Sequence, residues 1–436
     1  MQHQHTETFR PLEQLLQGTT PAVARSLERS LTGDDLAVDE IAQLFTLQGK
    51  EFILLTLVAD ELRRQQVGDI VTYVVNRNIN FTNVCIKRCG FCAFSRDYRG
   101  DEGYFLPIPE VVRRAKEAAR YGATEICVQA GLAPKLPGDY YIRLTEALKA
   151  ELPELHIHGF SPEEVLYGVT RSRMSIRSYL AALKTAGVGS LPGTSAEILV
   201  QAVRDRISRG RITVAQWEEV IRTAHELGIP TTATIMYGHV ETFEERALHL
   251  DRIRTIQKDT GGFTEFVPLS FVHSDAPMWA RDNLPEMRPG PMGLDVIRMH
   301  AISRIVLGRY IPNLQASWVK EGTRFAQLLL AAGVNDLGGT LINESISTSA
   351  GAAFGQFVRP TEFRTLIRDA GRIPAERTTP YQLRKIFDGG EDVEEKDPLD
   401  IITEEQIRGF GSYHQLLESD EFRFAPISPP RVAHGN

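Results

Sequence analysis

Val71-Thr-Tyr-Val-Val-Asn-Arg-Asn-Ile-Asn-Phe-Thr-Asn-Val84 runs directly into Cys85-Ile-Lys-Arg-Cys89-Gly-Phe-Cys92-Ala-Phe-Ser-Arg96, so a β-branched run hands over to three cysteines. The first part has the composition of a strand, because branched and aromatic side chains suit a pleated backbone. Further apolar runs follow at 125–129, 155–160, 188–191, 231–237, 263–269, 311–314 and 334–337. Amphipathic helical stretches lie between them. Val111, Ala115, Ala118 and Ala119 stripe one, opened by Pro109 and closed by Gly122. Tyr140, Leu144, Ala147 and Leu148 stripe the next, behind Asp139 as an N-cap. Thr213 with Gln216, and Thr242 with Glu245, have the spacing of capping boxes, in which the side chains at each end satisfy orphan amides. Each parallel strand needs a crossover, so this alternation predicts a parallel sheet in an α/β chain. Eight strands suit a closed (β/α)8 TIM-type barrel.

Working outward, 1–66 reads as an N-terminal helical extension with helices near 22–31, 38–45 and 50–64. Residues 67–350 form the barrel, and 351–436 a C-terminal segment: a helical stretch at 360–386, an acidic linker at 388–397 and a loose tail. The 436 residues are 42% hydrophobic and 24% charged, enough for a large core. A net charge of -7 speaks against a general nucleic-acid binder, which needs basic surface to displace counterions. The longest apolar run, 52–58, is interrupted by Thr56 and far short of the ~20 residues of a membrane span. The first residues have no signal-peptide pattern, so a cytoplasmic location is expected. Four cysteines in so long a chain are no disulfide scaffold, and three of them clustered suggest metal binding in a reducing compartment.

The spacing CxxxCxxC lets Cys85, Cys89 and Cys92 wrap three corners of a cubane iron–sulfur cluster from one loop. The fourth iron can then take a substrate. The amino and carboxylate groups of S-adenosylmethionine could chelate it, and one electron from the reduced cluster would break a sulfur–carbon bond. That needs a low potential, toward the negative end of the roughly −700 to +450 mV span of protein clusters. The loop follows the first strand, at the face where barrel enzymes keep their sites. Zinc competes as an alternative, but a closed structural site needs four ligands, and no nearby cysteine or histidine supplies the fourth. Cys127, inside an apolar strand pattern, reads as a core residue. Lys87, Arg88 and Arg96 either tune cluster charge or contact a carboxylate, with a solvated loop face as the further reading for Lys87 and Arg88.

The cysteine loop, with Phe91 before its last cysteine, resembles the radical S-adenosylmethionine (radical SAM) superfamily. In that superfamily a glycine motif after the second strand meets the methionyl amine; here it reads Val128-Gln129-Ala130-Gly131-Leu132, with Ala130 where a paired glycine often stands. The resemblance thus implies one [4Fe-4S] cluster on the three cysteines and S-adenosylmethionine beside Phe91, Gln129 and Gly131. Phe81-Thr-Asn-Val-Cys85, His158-Gly-Phe-Ser-Pro162, Gly189-Ser-Leu-Pro-Gly193, Tyr237-Gly-His-Val-Glu241 and Gln315-Ala-Ser-Trp318 resemble a subgroup that builds menaquinone and deazaflavin cofactors. Phe263-Thr-Glu-Phe-Val-Pro268, Phe271-Val-His273, Asn335-Asp-Leu-Gly-Gly-Thr340 and Gly371-Arg-Ile-Pro-Ala-Glu-Arg-Thr378 look most like the CofH subunits of FO synthase. That family's reaction would abstract hydrogen from L-tyrosine, release its side chain as a 4-hydroxybenzyl-type radical and join it to 5-amino-6-(D-ribitylamino)uracil. The resemblance further implies a ring-closing CofG-like partner, since only one CxxxCxxC occurs here, and an electron donor such as ferredoxin or flavodoxin.

Polar residues at strand ends are the candidates for substrate chemistry. His158, Glu241 and His273 are expected at the barrel mouth, where each could accept a tyrosine proton or simply bond a loop backbone. His239 and Gln315 are weaker candidates of the same kind. Arg177 reads as a surface arginine, and Trp318 and Phe271 as core. Two other readings stand beside the tyrosine-dependent one. The first is a menaquinone-pathway enzyme, either an aminofutalosine synthase or a dehypoxanthine futalosine cyclase. The second is a zinc-stabilised, non-enzymatic barrel.

Overall fold

A computed structural model describes residues 14–16, 18–100, 102–281, 284–389 and 396–425. Its strands are β1 (Ile70–Val74), β2 (Asn76–Ile79), β3 (Glu125–Val128), β4 (His156–His158), β5 (Thr231–Tyr237), β6 (Phe263–Ser270), β7 (Asp336–Gly339), β8 (Ile373–Arg377) and β9 (Leu383–Ile386). β1 and β2 are two halves of one bent run broken at Val75. The single strand expected at 71–84 is therefore shorter, and 80–84 leaves the sheet to start the cysteine loop.

The pairing closes a ring. β2, β3 and β4 pair in parallel; His158 bridges Ser190, and Leu191 bridges Thr231 of β5. β5 pairs with β6, Phe266 bridges Leu314, Gln315 bridges Asp336, and β7 returns to β1 through Thr72↔Asp336. That makes eight parallel positions, as the alternation predicted. The fourth and seventh are reduced to single bridges. Proline lacks a ladder donor, and Pro192 and Pro312 flank these two positions.

Side-chain alternation decides what the barrel holds. Arg77 turns outward to Glu117 (2.7 Å) on the helix Ile108–Arg120, so Asn76 and Asn78 face inward. Register then brings Glu125 and His156 level with Asn76, and Cys127, His158 and Ser190 level with Asn78. Outside the ring, helices cover the strands with apolar faces, such as Tyr141, Leu144 and Leu148 or Tyr179, Leu180 and Leu183. Each such fully buried leucine contributes roughly 1.5–3 kcal/mol.

Both expected capping boxes form, with Gln216 N–H donating to Thr213 and Glu245 N–H to Thr242. Asp139 stands before its helix but makes no capping bond. The N-terminal helices Pro21–Thr32, Val38–Leu44 and Gly49–Val67 match their expected positions.

The helix expected over 360–386 is correct only as far as Pro360–Asp369. Gly371, at φ 70°, turns the chain out of the helix and into β8. β8 joins β1 in parallel from Ile70↔Ile373 to Tyr73↔Glu376, and β9 folds back on it. From this hairpin Arg377, Thr379 and Tyr381 reach the foot of the barrel. Arg377 meets Asp336 at 2.6 Å, Thr379 meets Glu125 at 2.6 Å, and the Tyr381 hydroxyl donates to Glu265. The acidic linker lies partly, and the tail from 426 wholly, outside the described residues. No single helix among the described residues is long and apolar enough to cross a membrane.

Candidate active site

Backbone bonds hold the cysteine loop against the end of the first strand. Cys85 N–H donates to Arg96 (3.0 Å), Arg96 N–H to Asn83 (2.8 Å) and Ile86 N–H to Leu132 (2.9 Å). Across the mouth, Gly90 N–H reaches Ile207 (2.8 Å) and Met278 N–H reaches Gly90 (2.7 Å), so the loop arches over the strand ends. Cys85, Cys89 and Cys92 all line one cavity of about 340 Å³ there. Burial pushes the Cys85 thiol up and that of Cys89 up to about 12, against the pull of nearby Arg211. Among the described residues, no three of His, Cys, Asp and Glu stand close enough to share one ion, as a closed zinc site requires. Three thiols on one loop, each facing the same cavity, instead suit a cubane, where every thiolate takes a different iron.

Arg211 is the cation of this wall. It bonds Glu197 (2.9 Å), Ser195 (2.7 Å) and Glu163 (3.2 Å), and its guanidinium lies 5.5 Å from the centre of the Phe91 ring. Lys87 pairs with Glu163 at 3.1 Å. Arg88 is exposed beside Asp97 (3.1 Å), and Arg96 pairs with Glu102 (2.9 Å).

The segment after β3 forms the adjoining wall. Gly131 N–H donates to Thr82 (2.8 Å), and a Cβ on Gly131 would run into the Val84 carbonyl. Ala130 N–H donates to Glu164 (3.0 Å), which also takes the Ser161 N–H (2.8 Å) in a capping box. Burial raises the Glu164 carboxyl to about 7, against those bonds. The Gln129 side chain accepts from Thr194 (2.7 Å) and donates to Cys127 (3.3 Å). Cys127 is thus on the inner face of the barrel, its thiol raised by burial to about 12. The rest of the lining comes from three later segments: Ser270, Phe271 and Val272; Ser317, Val319 and Lys320; Leu341, Glu344 and Ser347.

The structure therefore brings Cys85, Cys89, Cys92, Phe91, Gln129 and Gly131 together on one cavity. His158, Glu241 and His273, expected at the mouth, are not part of its wall. His158 points into the barrel a layer below, bonded to Ser190 (2.7 Å), and burial pulls its pKa down to about 4. Glu241 is buried in the loop after β5, where it accepts from Gly238 (2.7 Å), His239 (2.9 Å) and Arg246 (2.8 Å) and pairs with Arg288 (2.9 Å). Burial opposes ionisation there, yet His239, Arg246 and Arg288 hold its carboxyl down at about 2. His273 leans on Trp279, ring centres 4.6 Å apart. Gln315 donates to Glu265 (3.1 Å) inside the barrel, and exposed Arg177 pairs with Glu226. Trp318 is buried, its indole N–H on Gly339 (2.9 Å), while Phe271 is buried and also faces the cavity.

Sequence reasoning missed Arg211, Glu163, Glu164, Glu197 and Lys320. Ser161 and Glu164 do have capping-box spacing, which would have flagged that pair. Arg211 lies in Ser208-Arg-Gly-Arg211, which looks like any basic surface turn.

Residues 79–253 match the radical SAM superfamily, and residues 243–389 match the CofH/MqnC C-terminal region. A 5-amino-6-(D-ribitylamino)uracil–L-tyrosine 4-hydroxyphenyl transferase from Methanopyrus kandleri is 48% identical over 351 residues, 80% of this chain and 94% of that one. Its namesake from Methanothermobacter thermautotrophicus is 46% identical over 349 residues, with the same coverage. The chain belongs to the radical SAM superfamily, in the CofH family. Solved structures share its fold. The FeFe-hydrogenase maturase HydG from Carboxydothermus hydrogenoformans has a TM-score of 0.63 at 15% identity, over 86% of this chain and 83% of that one. Methylornithine synthase (PylB) has a TM-score of 0.56 at 17% identity, over 89% of this chain and 96% of that one. Membership of the radical SAM superfamily implies a 4Fe-4S cluster and S-adenosylmethionine.

Proposed function

We infer that this protein is a radical SAM transferase of coenzyme FO biosynthesis, moving the 4-hydroxybenzyl group of L-tyrosine onto 5-amino-6-(D-ribitylamino)uracil. The observation that carries this reading is one cavity with two chemically distinct walls, in a chain that aligns with the named transferases over nearly their whole length. Cys85, Cys89 and Cys92 would hold the cluster, and when bound it supplies the single electron that splits the sulfonium.

The chain's own residues do the positioning. Arg211 sets the charge of the cluster wall and holds the Phe91 ring. Glu164 fixes the Ala130 amide, so the 129–131 backbone presents a defined edge to the methionyl end of the nucleoside. Gln129, oriented by Thr194, extends that edge. Phe271, Val272, Val319 and Leu341 give the rest of the lining apolar surface for an aromatic substrate and help keep water from a reactive radical. The FO reading leaves ring closure to a CofG-like catalyst and takes the electron from a ferredoxin or flavodoxin.

The test is an anaerobic assay of iron- and sulfide-reconstituted protein with S-adenosylmethionine, tyrosine and the diaminouracil, read by mass spectrometry. Deoxyadenosine together with a benzylated pyrimidine is the expected result. Deoxyadenosine without tyrosine consumption, or turnover of a futalosine-type nucleoside instead, refutes the substrate assignment.

A further inference from the structure

Among the described residues, three cations line the cavity: Lys87, Arg211 and Lys320. The first two stand on the cluster wall and are paired with Glu163 and Glu197. Lys320 comes from the helix Trp318–Glu321, near enough to Cys92 to feel its charge. Among the described residues no carboxylate lies within 4.0 Å of its ammonium, and no side-chain hydrogen bond engages it. Its nearest acids are occupied elsewhere. Glu344 accepts from the Ser347 (2.8 Å) and Thr348 (3.2 Å) amides, and Glu321 takes the Ser270 hydroxyl.

The short helix Trp318–Glu321 that carries Lys320 is pinned on both sides. Trp318 is buried and bonded to Gly339, and Glu321 is tied to Ser270, so the lysine between them is presented to the cavity. The neighbouring lining is largely apolar: Leu269, Phe271, Val272, Val319, Leu341, Ile346 and Ala350. A cation in such surroundings is costly unless an anion completes it. Burial accordingly pushes the Lys320 ammonium below its ordinary pKa.

We propose that Lys320 anchors the α-carboxylate of the amino-acid substrate, as the charged end of a pocket whose remaining wall accepts an aromatic side chain. This rests on the tyrosine reading above. Of the two co-substrates that reading requires besides S-adenosylmethionine, only the amino acid brings a carboxylate. The methionyl carboxylate of S-adenosylmethionine is the competing anion, because Lys320 lies near Cys92.

Cluster-loaded wild type, Lys320→Met and Lys320→Arg are compared by equilibrium dialysis with L-tyrosine, L-tyrosinamide and S-adenosylmethionine. A charge-assisted bond of ~1.5–3 kcal/mol corresponds to about a ten- to hundredfold weaker tyrosine affinity in K320M. K320R recovers part of it, because it keeps the charge on a different fork. Tyrosinamide, which lacks the carboxylate, binds wild type and K320M alike, and S-adenosylmethionine affinity and iron content stay the same. Tyrosine affinity within twofold of wild type in K320M overturns the proposal. So does a loss confined to S-adenosylmethionine, which would give the lysine to the methionyl carboxylate. A wild type that neither binds nor cleaves tyrosine refutes the functional reading and the proposal together, whereas normal wild-type turnover with an unaffected K320M refutes the proposal alone.

Discussion

At Gly131 a missing side chain brings two segments into register. The space a Cβ would need is filled by the backbone of Asn83 and Val84, which leads into the cysteine loop. Gly131→Ala must therefore push apart the two walls that meet at the nucleoside edge, an overpacking of about 1–3 kcal/mol. We expect a lower melting temperature and at least tenfold weaker S-adenosylmethionine binding, measured by thermal scan and dialysis. Unchanged binding would mean the 129–131 edge is not part of the nucleoside site. Glu241 acts by charge instead. Its folded-state pKa of about 2 lies below the ordinary 4.5, so the folded state favours the ionised form. Its contribution is full above pH 4.5 and is lost as pH falls from there through about 2. Glu241→Gln leaves Arg288 short of a carboxylate and Arg246 with Asp295 alone, which costs about 3 kcal/mol at neutral pH. Urea titrations at pH 7 and pH 3 check this: the gap between wild type and variant should narrow at the lower pH.

Among the elements, β8 shows where sequence patterning stops being informative. Strands such as β5 and β6 were legible because long β-branched and aromatic runs mark them. β8 reads Ile-Pro-Ala-Glu-Arg, with a proline and two charges in five residues, yet four of those residues are buried. What makes it a strand is remote: Arg377 finds Asp336 and Glu265 at the barrel foot and lies 3.9 Å from the Tyr381 ring centre. The same contrast separates the parts of the site. Cys85, Cys89 and Cys92 could be found because one loop carries all of them, whereas Arg211 and Lys320 acquire their roles only when loops far apart in the chain meet. His158 was expected one layer too high, since strand-end position in sequence does not fix depth in a barrel. Arg377→Met removes the shared partner of two buried carboxylates, and we expect a loss of about 3–5 kcal/mol. Denaturant unfolding of the apoprotein measures it; a change under 1 kcal/mol would show that β8 is held by its backbone ladder alone.

For the whole molecule, the informative relation is between the end of the chain and the cysteine loop, more than 300 residues apart in sequence. After β9 the chain passes through the helices Glu404–Gly409 and Tyr413–Glu418 and returns to the far side of that loop. Tyr413 packs on Phe94, ring centres 5.7 Å apart, two residues beyond the last cysteine. Phe105 N–H donates to Phe422 (2.8 Å), Phe424 N–H donates to Gly103 (2.7 Å), and Phe410 lies 5.4 Å from the Arg77 guanidinium. The barrel ring and the β8–β9 hairpin make none of their strand pairings with this segment. Its removal costs the barrel the Arg77 bond to the Phe410 carbonyl (3.1 Å) but no ladder pairing, so the barrel should stay folded, at lower stability, while the outer face of the cluster loop is uncovered. A chain ending at Ile402 is expected to take up iron and sulfide but to lose its charge-transfer absorbance in air several-fold faster than the full chain. Tyr413→Ala, which deletes one ring of the cover, should fall between the two. Because an oxygen-sensitive cluster decays at a rate set by access to its loop, identical decay in all three proteins would show that the returning segment leaves that access unchanged.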